Sequence, residues 1–255
     1  MKQQTVMVLL TTLFAIFTSG LCYAEETEKA LPVVTFSSKY YSKYVGDTGV
    51  VFYDRPVIQS EINVTLPKGL YANLWYSTSL ANAGMNTNDG NEFDPTVGWC
   101  GDVAGITLDT GLTYFNIRPV GTFGRGDVWQ PYIEFSKEFA LNNAPHAITP
   151  YAKAEYGIPV QDNSREDKGL HVHGGLRHAW HIAAAFGLKQ QADFVFDDSA
   201  FGYSRAWVYS HSLALSCTLT DWLNLELGGK VYVPLTQAEN RNTQVVGNAG
   251  FRAGF

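Results

Sequence analysis

The sequence predicts an all-β chain closed into an antiparallel barrel that crosses a membrane, and three observations carry that prediction. Apolar and polar residues alternate over segments of about ten or more residues, aromatic rings gather near the ends of those segments, and no uninterrupted apolar run beyond residue 24 approaches the ~18 residues of a spanning helix. Composition agrees, with 14 Tyr, 15 Phe and 24 Gly beside only 16% charged residues, a balance that favours strands over long helices. The formal net charge of −6 supplies no basic footprint for phosphate, so nucleic acid is excluded as a partner.

Residues 1–24, MKQQTVMVLLTTLFAIFTSGLCYA, hold one Lys, an apolar run from Val6 to Phe17 and a small-residue end, followed by acidic EETE. This is the layout of a cleaved secretory signal peptide, with the cut expected after Ala24. Leu21 stands where a lipoprotein needs a small residue before Cys22, which argues against a lipid anchor. A single barrel domain is then expected over 25–255. Within it Cys100 and Cys217 lie too far apart in sequence for a pairing to be read.

The clearest strand is 222–235, where Leu223, Leu225, Leu227, Val231, Val233 and Leu235 share one face and Asn224, Glu226, Lys230 and Tyr232 the other. The last segment repeats the pattern, with Val245, Ala249, Phe251, Ala253 and Phe255 opposite Asn248 and Arg252. The same reading places strands at 33–44, 56–66, 69–78, 93–103, 105–117, 127–139, 147–157, 168–177, 182–195, 204–218, 222–235 and 243–255, twelve in all. That leaves about 19 residues for each strand with its connection, in keeping with membrane strands of ~9–11 residues.

Short connections carry tight-turn residues: Pro67-Lys68-Gly69, Gly101 to Gly105, Asn142 to Pro145, and Thr220-Asp221. Between them fall longer polar connections at 45–55, 79–92, 118–126, 158–168, 196–203 and 236–242. Short turns on one rim and long loops on the other, with both termini at the short-turn rim, is the layout of a bacterial outer-membrane barrel. A soluble β-sandwich also alternates with period two, but its strands usually run ~5–6 residues. Here rings at Tyr40, Tyr44, Trp99, Trp129, Phe139, Tyr156, Trp207, Tyr209, Trp222, Phe251 and Phe255 are placed to form two interfacial girdles.

Phe36-Ser37-Ser38-Lys39-Tyr40, then Asp54-Arg55-Pro56-Val57-Ile58-Gln59 and Gly69-Leu70-Tyr71-Ala72-Asn73-Leu74-Trp75, resemble in order the start of a bacterial outer-membrane family, Gcw_chp. Asn91-Glu92-Phe93-Asp94, Gly101-Asp102-Val103-Ala104-Gly105-Ile106 and Gly111-Leu112-Thr113-Tyr114 are similar to its next stretch. The resemblance implies a small outer-membrane barrel and no established activity. Phe255 is similar to the C-terminal aromatic signal read by the barrel assembly machinery, which with outer-membrane lipids and lipopolysaccharide makes up the expected partners.

Turning the apolar faces outward leaves an interior lined by Lys39, Lys43, Lys153, Lys189, Lys230 and Arg252 against Glu61, Asp102, Asp109, Glu134, Glu155 and Glu226. Six cations facing six anions favour pairing across the bore and argue against a strongly one-signed filter. Tyr41, Tyr71, Trp75, Tyr132 and Tyr151 join them, and such long side chains narrow or close a bore of this size. Ser210-His211-Ser212 is the sole hint of a lipid hydrolase, and it puts the imidazole on the face opposite both hydroxyls, so no nucleophile–base pair forms locally. His171 and His173 share an inward face with Arg177, but a metal site needs a third ligand and sequence offers none, so they read as lining residues. His178 and His181 read as a short turn around Trp180, and Asp89, Glu92 and Asp94 as a solvated loop without calcium-loop spacing. The expectation is a porin-like passive channel for small solutes, without enzyme activity or cofactor. A closed structural or adhesive barrel is the alternative.

Overall fold

The computed structural model describes residues 32–81, 90–117, 124, 126–140, 145–161, 168–239 and 241–255. The signal segment 1–24, the turn residues 141–144 and the polar runs 82–89 and 162–167 lie outside the described residues. Twelve long strands form the wall: β1 (Val33–Tyr41), β4 (Val57–Thr65), β5 (Leu70–Ser79), β6 (Glu92–Val103), β7 (Ile106–Phe115), β8 (Val128–Ser136), β10 (His146–Pro159), β11 (Gly169–Ala183), β12 (Phe186–Asp197), β13 (Ala206–Thr220), β14 (Leu223–Pro234) and β15 (Gln244–Gly254). Between β1 and β4 runs a short hairpin of β2 (Tyr44–Val45) and β3 (Val51–Tyr53), and β9 (Phe139–Ala140) adds two residues beside β10.

All wall pairings are antiparallel, and the sheet closes on itself. Neighbours along the chain pair with one another, and β1 joins β15 with Thr35 opposite Gly254 and Tyr40 opposite Ala249. Closure leaves no unpaired edge, which a bilayer demands because lipid cannot satisfy free backbone N–H and C=O groups.

The faces are inverted relative to a water-soluble protein. Leu74, Val97, Leu176, Leu213, Leu227 and Val245 are 45%, 61%, 53%, 47%, 65% and 68% exposed, while Ser77, Asn116, Asp127 and Ser210 are fully buried. An apolar outer surface around a polar interior is stable only where hydrocarbon surrounds it. Tyr40, Trp129, Tyr156, Phe194 and Trp207 ring the long-loop rim, and Phe135, Phe139, Phe186 and Trp222 the short-turn rim, giving the two girdles.

The strand bounds follow the alternation closely, with three corrections. β1 ends at Tyr41, and Tyr44 turns inward instead of joining a girdle. β11 continues through His178 and His181 to Ala183, where a turn was expected; a register shift between His181 and Ala183 breaks the period there and hides the strand. Asp102 is not a lining residue: its Oδ1 accepts the Gly105 N–H at 3.0 Å and caps the β6–β7 turn.

Candidate functional site

The connection between β1 and β4, expected as one of the longer polar loops of the rim, folds into the barrel. Gly46-Asp47-Thr48-Gly49 makes a tight reversal in which Gly46 N–H donates to Val50 O and Gly49 N–H to Gly46 O, both at 2.9 Å. Gly49 has φ +78°, a left-handed conformation that glycine adopts without strain. Thr48 and Val50 are buried, and the hairpin rests on an apolar patch of the inner wall, Ala206, Val208, Tyr232 and Val246.

Polar groups tie the hairpin to several strands. Lys230 reaches Asp47 at 3.2 Å, Tyr44 Oη donates to Glu92 Oε2 at 2.6 Å, and Ser79 Oγ donates to Tyr53 Oη at 3.0 Å. Lys43 sits 3.2 Å from Asp54 and donates to Gln244 Oε1 at 2.9 Å. The Lys230 ammonium holds the Asp47 carboxyl well below the usual carboxylate range, so that attachment stays charged in neutral and mildly acid solution.

Below the hairpin, polar groups pair mainly between strands two apart, reaching over the strand between them. Arg177 grips Glu134 through two hydrogen bonds of 2.7 and 2.8 Å and lies 3.8 Å over the Tyr151 ring. Tyr151 donates to Asp193, which also accepts from Ser210 Oγ at 3.2 Å and from Gln191. Lys39 pairs with Glu226 across β15, where Gly250 leaves the room: a Cβ there would lie 2.6 Å from Lys39 Cγ. Lys189 approaches the same carboxylate at 3.8 Å.

The interior holds cavities of about 980 and 560 Å³, both bounded by Gln59, Glu61, Asn63 and Trp75. In the larger, Asp47, Glu61, Glu92, Asp94, Asp109 and Glu155 face Lys153. In the smaller, Lys39, Lys189 and Arg252 face Glu61 and Glu226. The expected balance of charge is therefore uneven in space: carboxylates dominate the larger chamber, while the smaller holds three cations against two carboxylates. Asp109 accepts from Tyr71 Oη at 2.7 Å, and Glu61 accepts from Ser37 Oγ at 3.5 Å and from Asn73. Glu92 and Asp94 are buried on the inner face of β6, where a solvated acidic loop was expected; Asp89 lies outside the described residues.

The structure brings Glu155 of β10 against His171 and His173 of β11, so the third ligand that sequence lacked comes from strand register. Ser210 faces inward and is fully buried, while His211 takes the other face, which rules out their pairing as nucleophile and base. Cys100 lines the larger cavity, and both Cys100 and Cys217 are free thiols. On the outside near the short-turn rim, His146 stacks on His178 with ring centroids 5.3 Å apart and 3.0 Å between Nδ1 and Nε2.

A protein-family model described as "Bacterial protein of unknown function (Gcw_chp)" matches residues 33–221, well beyond the motifs at 36–114. No curated protein matches the chain. Among solved structures, the NanC porin aligns with TM-score 0.54 at 10% identity over 86% of this chain and 98% of its own. An outer-membrane channel from Pseudomonas putida F1 gives 0.53 at 11% over 91% and 100%, and the KdgM porin 0.52 at 8% over 88% and 99%. At such identities the likeness is one of fold, and the fold is that of bacterial outer-membrane barrels.

Proposed function

The chain belongs to the Gcw_chp family, and we propose that it is a narrow, passive outer-membrane pore for small polar solutes, its bore set by the inward hairpin at 42–56. The observation that carries this is the polar interior: a chamber of about 980 Å³ bounded in part by the hairpin and one of about 560 Å³ away from it, sharing Gln59, Glu61, Asn63 and Trp75. A chamber walled by carboxylates in a low-dielectric barrel raises the local concentration of cations. The pore therefore favours cations, and Asp109→Asn together with Glu61→Gln lowers the cation-to-anion permeability ratio in a salt gradient. An unchanged reversal potential counts against the assignment.

A related solved structure is the KdgM porin in complex with oligogalacturonate. The acid-rich larger chamber here argues against an anionic sugar acid of that kind as the solute. Planar-bilayer recording of the refolded chain tests the proposal: current steps scaling with salt are expected. The second reading is a closed barrel serving the envelope or surface contacts, favoured by the hairpin's attachments to Glu92, Gln244 and Lys230. It predicts no current from folded protein. In either reading the partners are outer-membrane lipid, lipopolysaccharide and the assembly machinery. A hydrolytic role has no support in the inward Ser210 and outward His211.

A further inference from the structure

In the described interior nearly every buried polar side-chain atom has a hydrogen-bond partner, as buried polar groups generally must. Five do not, and two of those five are Nε2 of His171 and Nε2 of His173. Both imidazoles are 6% exposed and Glu155 is 8% exposed. Glu155 lies directly opposite His171 in the β10–β11 ladder and diagonally beside His173, a spacing at which inward side chains of neighbouring strands meet. Ligand atoms of the three lie within 4.8 Å of one another, and Glu155 Oε1 is 2.9 Å from His173 Nε2.

Neutral imidazoles serving only as structural donors would aim their ring N–H groups at the carboxylates. His173 Nε2 lies 2.9 Å from Glu155 Oε1, a contact that helps hold that carboxylate, and His171 Nε2 lies 3.3 Å from Asp197, neither with the alignment of a ring N–H hydrogen bond. Two imidazole nitrogens and a carboxylate oxygen grouped within 4.8 Å are the donor set a first-row divalent ion takes, at about 2.0–2.2 Å per ligand and roughly 3.4 Å between ligands. Closing the present arrangement to that spacing needs about an ångström of side-chain movement. The other carboxylate oxygen, Oε2, is held by Lys153 at 2.9 Å, which leaves Oε1 for the ion. Glu155 and His171 line the larger cavity, giving an entry path and room for water at the remaining coordination position.

We propose that Glu155, His171 and His173 form a binding site for a divalent transition metal ion of the zinc and copper class, reached from the barrel interior. The site stands apart from whether the barrel conducts, because binding is measured directly. Lys153 opposes the ion: its ammonium shares the ligand carboxylate, so Lys153→Met tightens binding while His171→Gln and His173→Gln weaken it. A purely structural cluster has no reason to follow that pattern.

The test is calorimetric titration of untagged, metal-free, detergent-folded protein with Zn2+ alone, folding being checked by heat-dependent gel mobility. One ion per chain is expected, weakened at least tenfold in His171→Gln or His173→Gln, tightened in Lys153→Met, and unchanged in His178→Gln, which disrupts the outer-face histidine pair. Absence of saturable binding, retention within twofold in both inner variants, or loss in His178→Gln overturns the proposal. Should the inner variants fail to fold, Cu2+ bound to the His178→Gln protein decides. Nitrogen splittings from two imidazoles in its paramagnetic resonance spectrum support the site, and their absence refutes it.

Discussion

Reversing the charge of Lys230 should release the hairpin. At the observed 3.2 Å from Asp47, the attraction is about 1.3 kcal/mol even with the full dielectric of water. The water limit is appropriate because the Asp47 side chain is 68% exposed and such pairs are weak. Lys230→Glu replaces the attraction with a repulsion of similar size, a swing of about 2.6 kcal/mol, trimmed to about 2 kcal/mol as the like charges move apart. Two kcal/mol is about a 30-fold rise in the released population. Cleavage that samples an opened state tracks that population, so trypsin cutting after Lys43, whose side chain is 24% exposed, accelerates about 30-fold when followed by mass spectrometry. Asp47→Lys in the same chain restores the pair with its sign exchanged and returns the rate to within a few-fold of the parent. Equal rates in parent and Lys230→Glu, or no rescue in the double variant, would refute the attachment.

The remaining predictions concern the wall and the same attachment. Arg177→Met strips the paired hydrogen bonds from Glu134 and the cation from the Tyr151 ring, and leaving a partly buried carboxylate alone costs about 3 kcal/mol; a urea midpoint in lipid vesicles that does not fall contradicts this. Gly250→Ala puts a Cβ 2.3 Å from the Ser38 carbonyl oxygen, so overpacking lowers the same midpoint by about 1–3 kcal/mol. Leu227→Arg, at a lipid-facing position 65% exposed, costs about 2–4 kcal/mol near mid-bilayer and reduces the folded fraction in vesicles; unaltered insertion would mean the outer face is misassigned. The Asp47 carboxyl is depressed by Lys230, so its contribution is present above the ordinary carboxylate pKa and is lost only as pH falls through the lower folded value. The carboxyl-carbon NMR shift of Asp47 should therefore hold constant from pH 7 to pH 5, and a titration step at that residue within the window would contradict the pairing.

The wall was legible because its chemistry repeats every second residue. Leu213, Leu215 and Leu219 alternate with Ser212, Ala214 and Ser216, and no helix or solvated loop tolerates that pattern over fifteen residues. The hairpin was not legible from Gly46-Asp47-Thr48-Gly49, which has the composition of any exposed turn. The signal that points inward is the next run, Val50-Val51-Phe52-Tyr53, too apolar for a tip in water. Val208 and Val246, where the inner face turns from polar to apolar, mark its seat.

The candidate site was harder still, since Glu155 meets His171 only through the β10–β11 register, which depends on a connection whose geometry sequence does not specify. The uneven division of charge between the two chambers has the same origin. A count of inward charges is readable from alternation, but their grouping depends on which strands face one another across the bore.

The central claim is an open bore narrowed by the inward hairpin, and single-channel current from the refolded chain in a planar bilayer addresses it directly, beside a variant in which residues 46–50 are replaced by a shorter turn. The account predicts discrete steps that scale with salt in the parent and larger steps in the variant. Silence from parent and variant alike, with both shown to be folded, would contradict it.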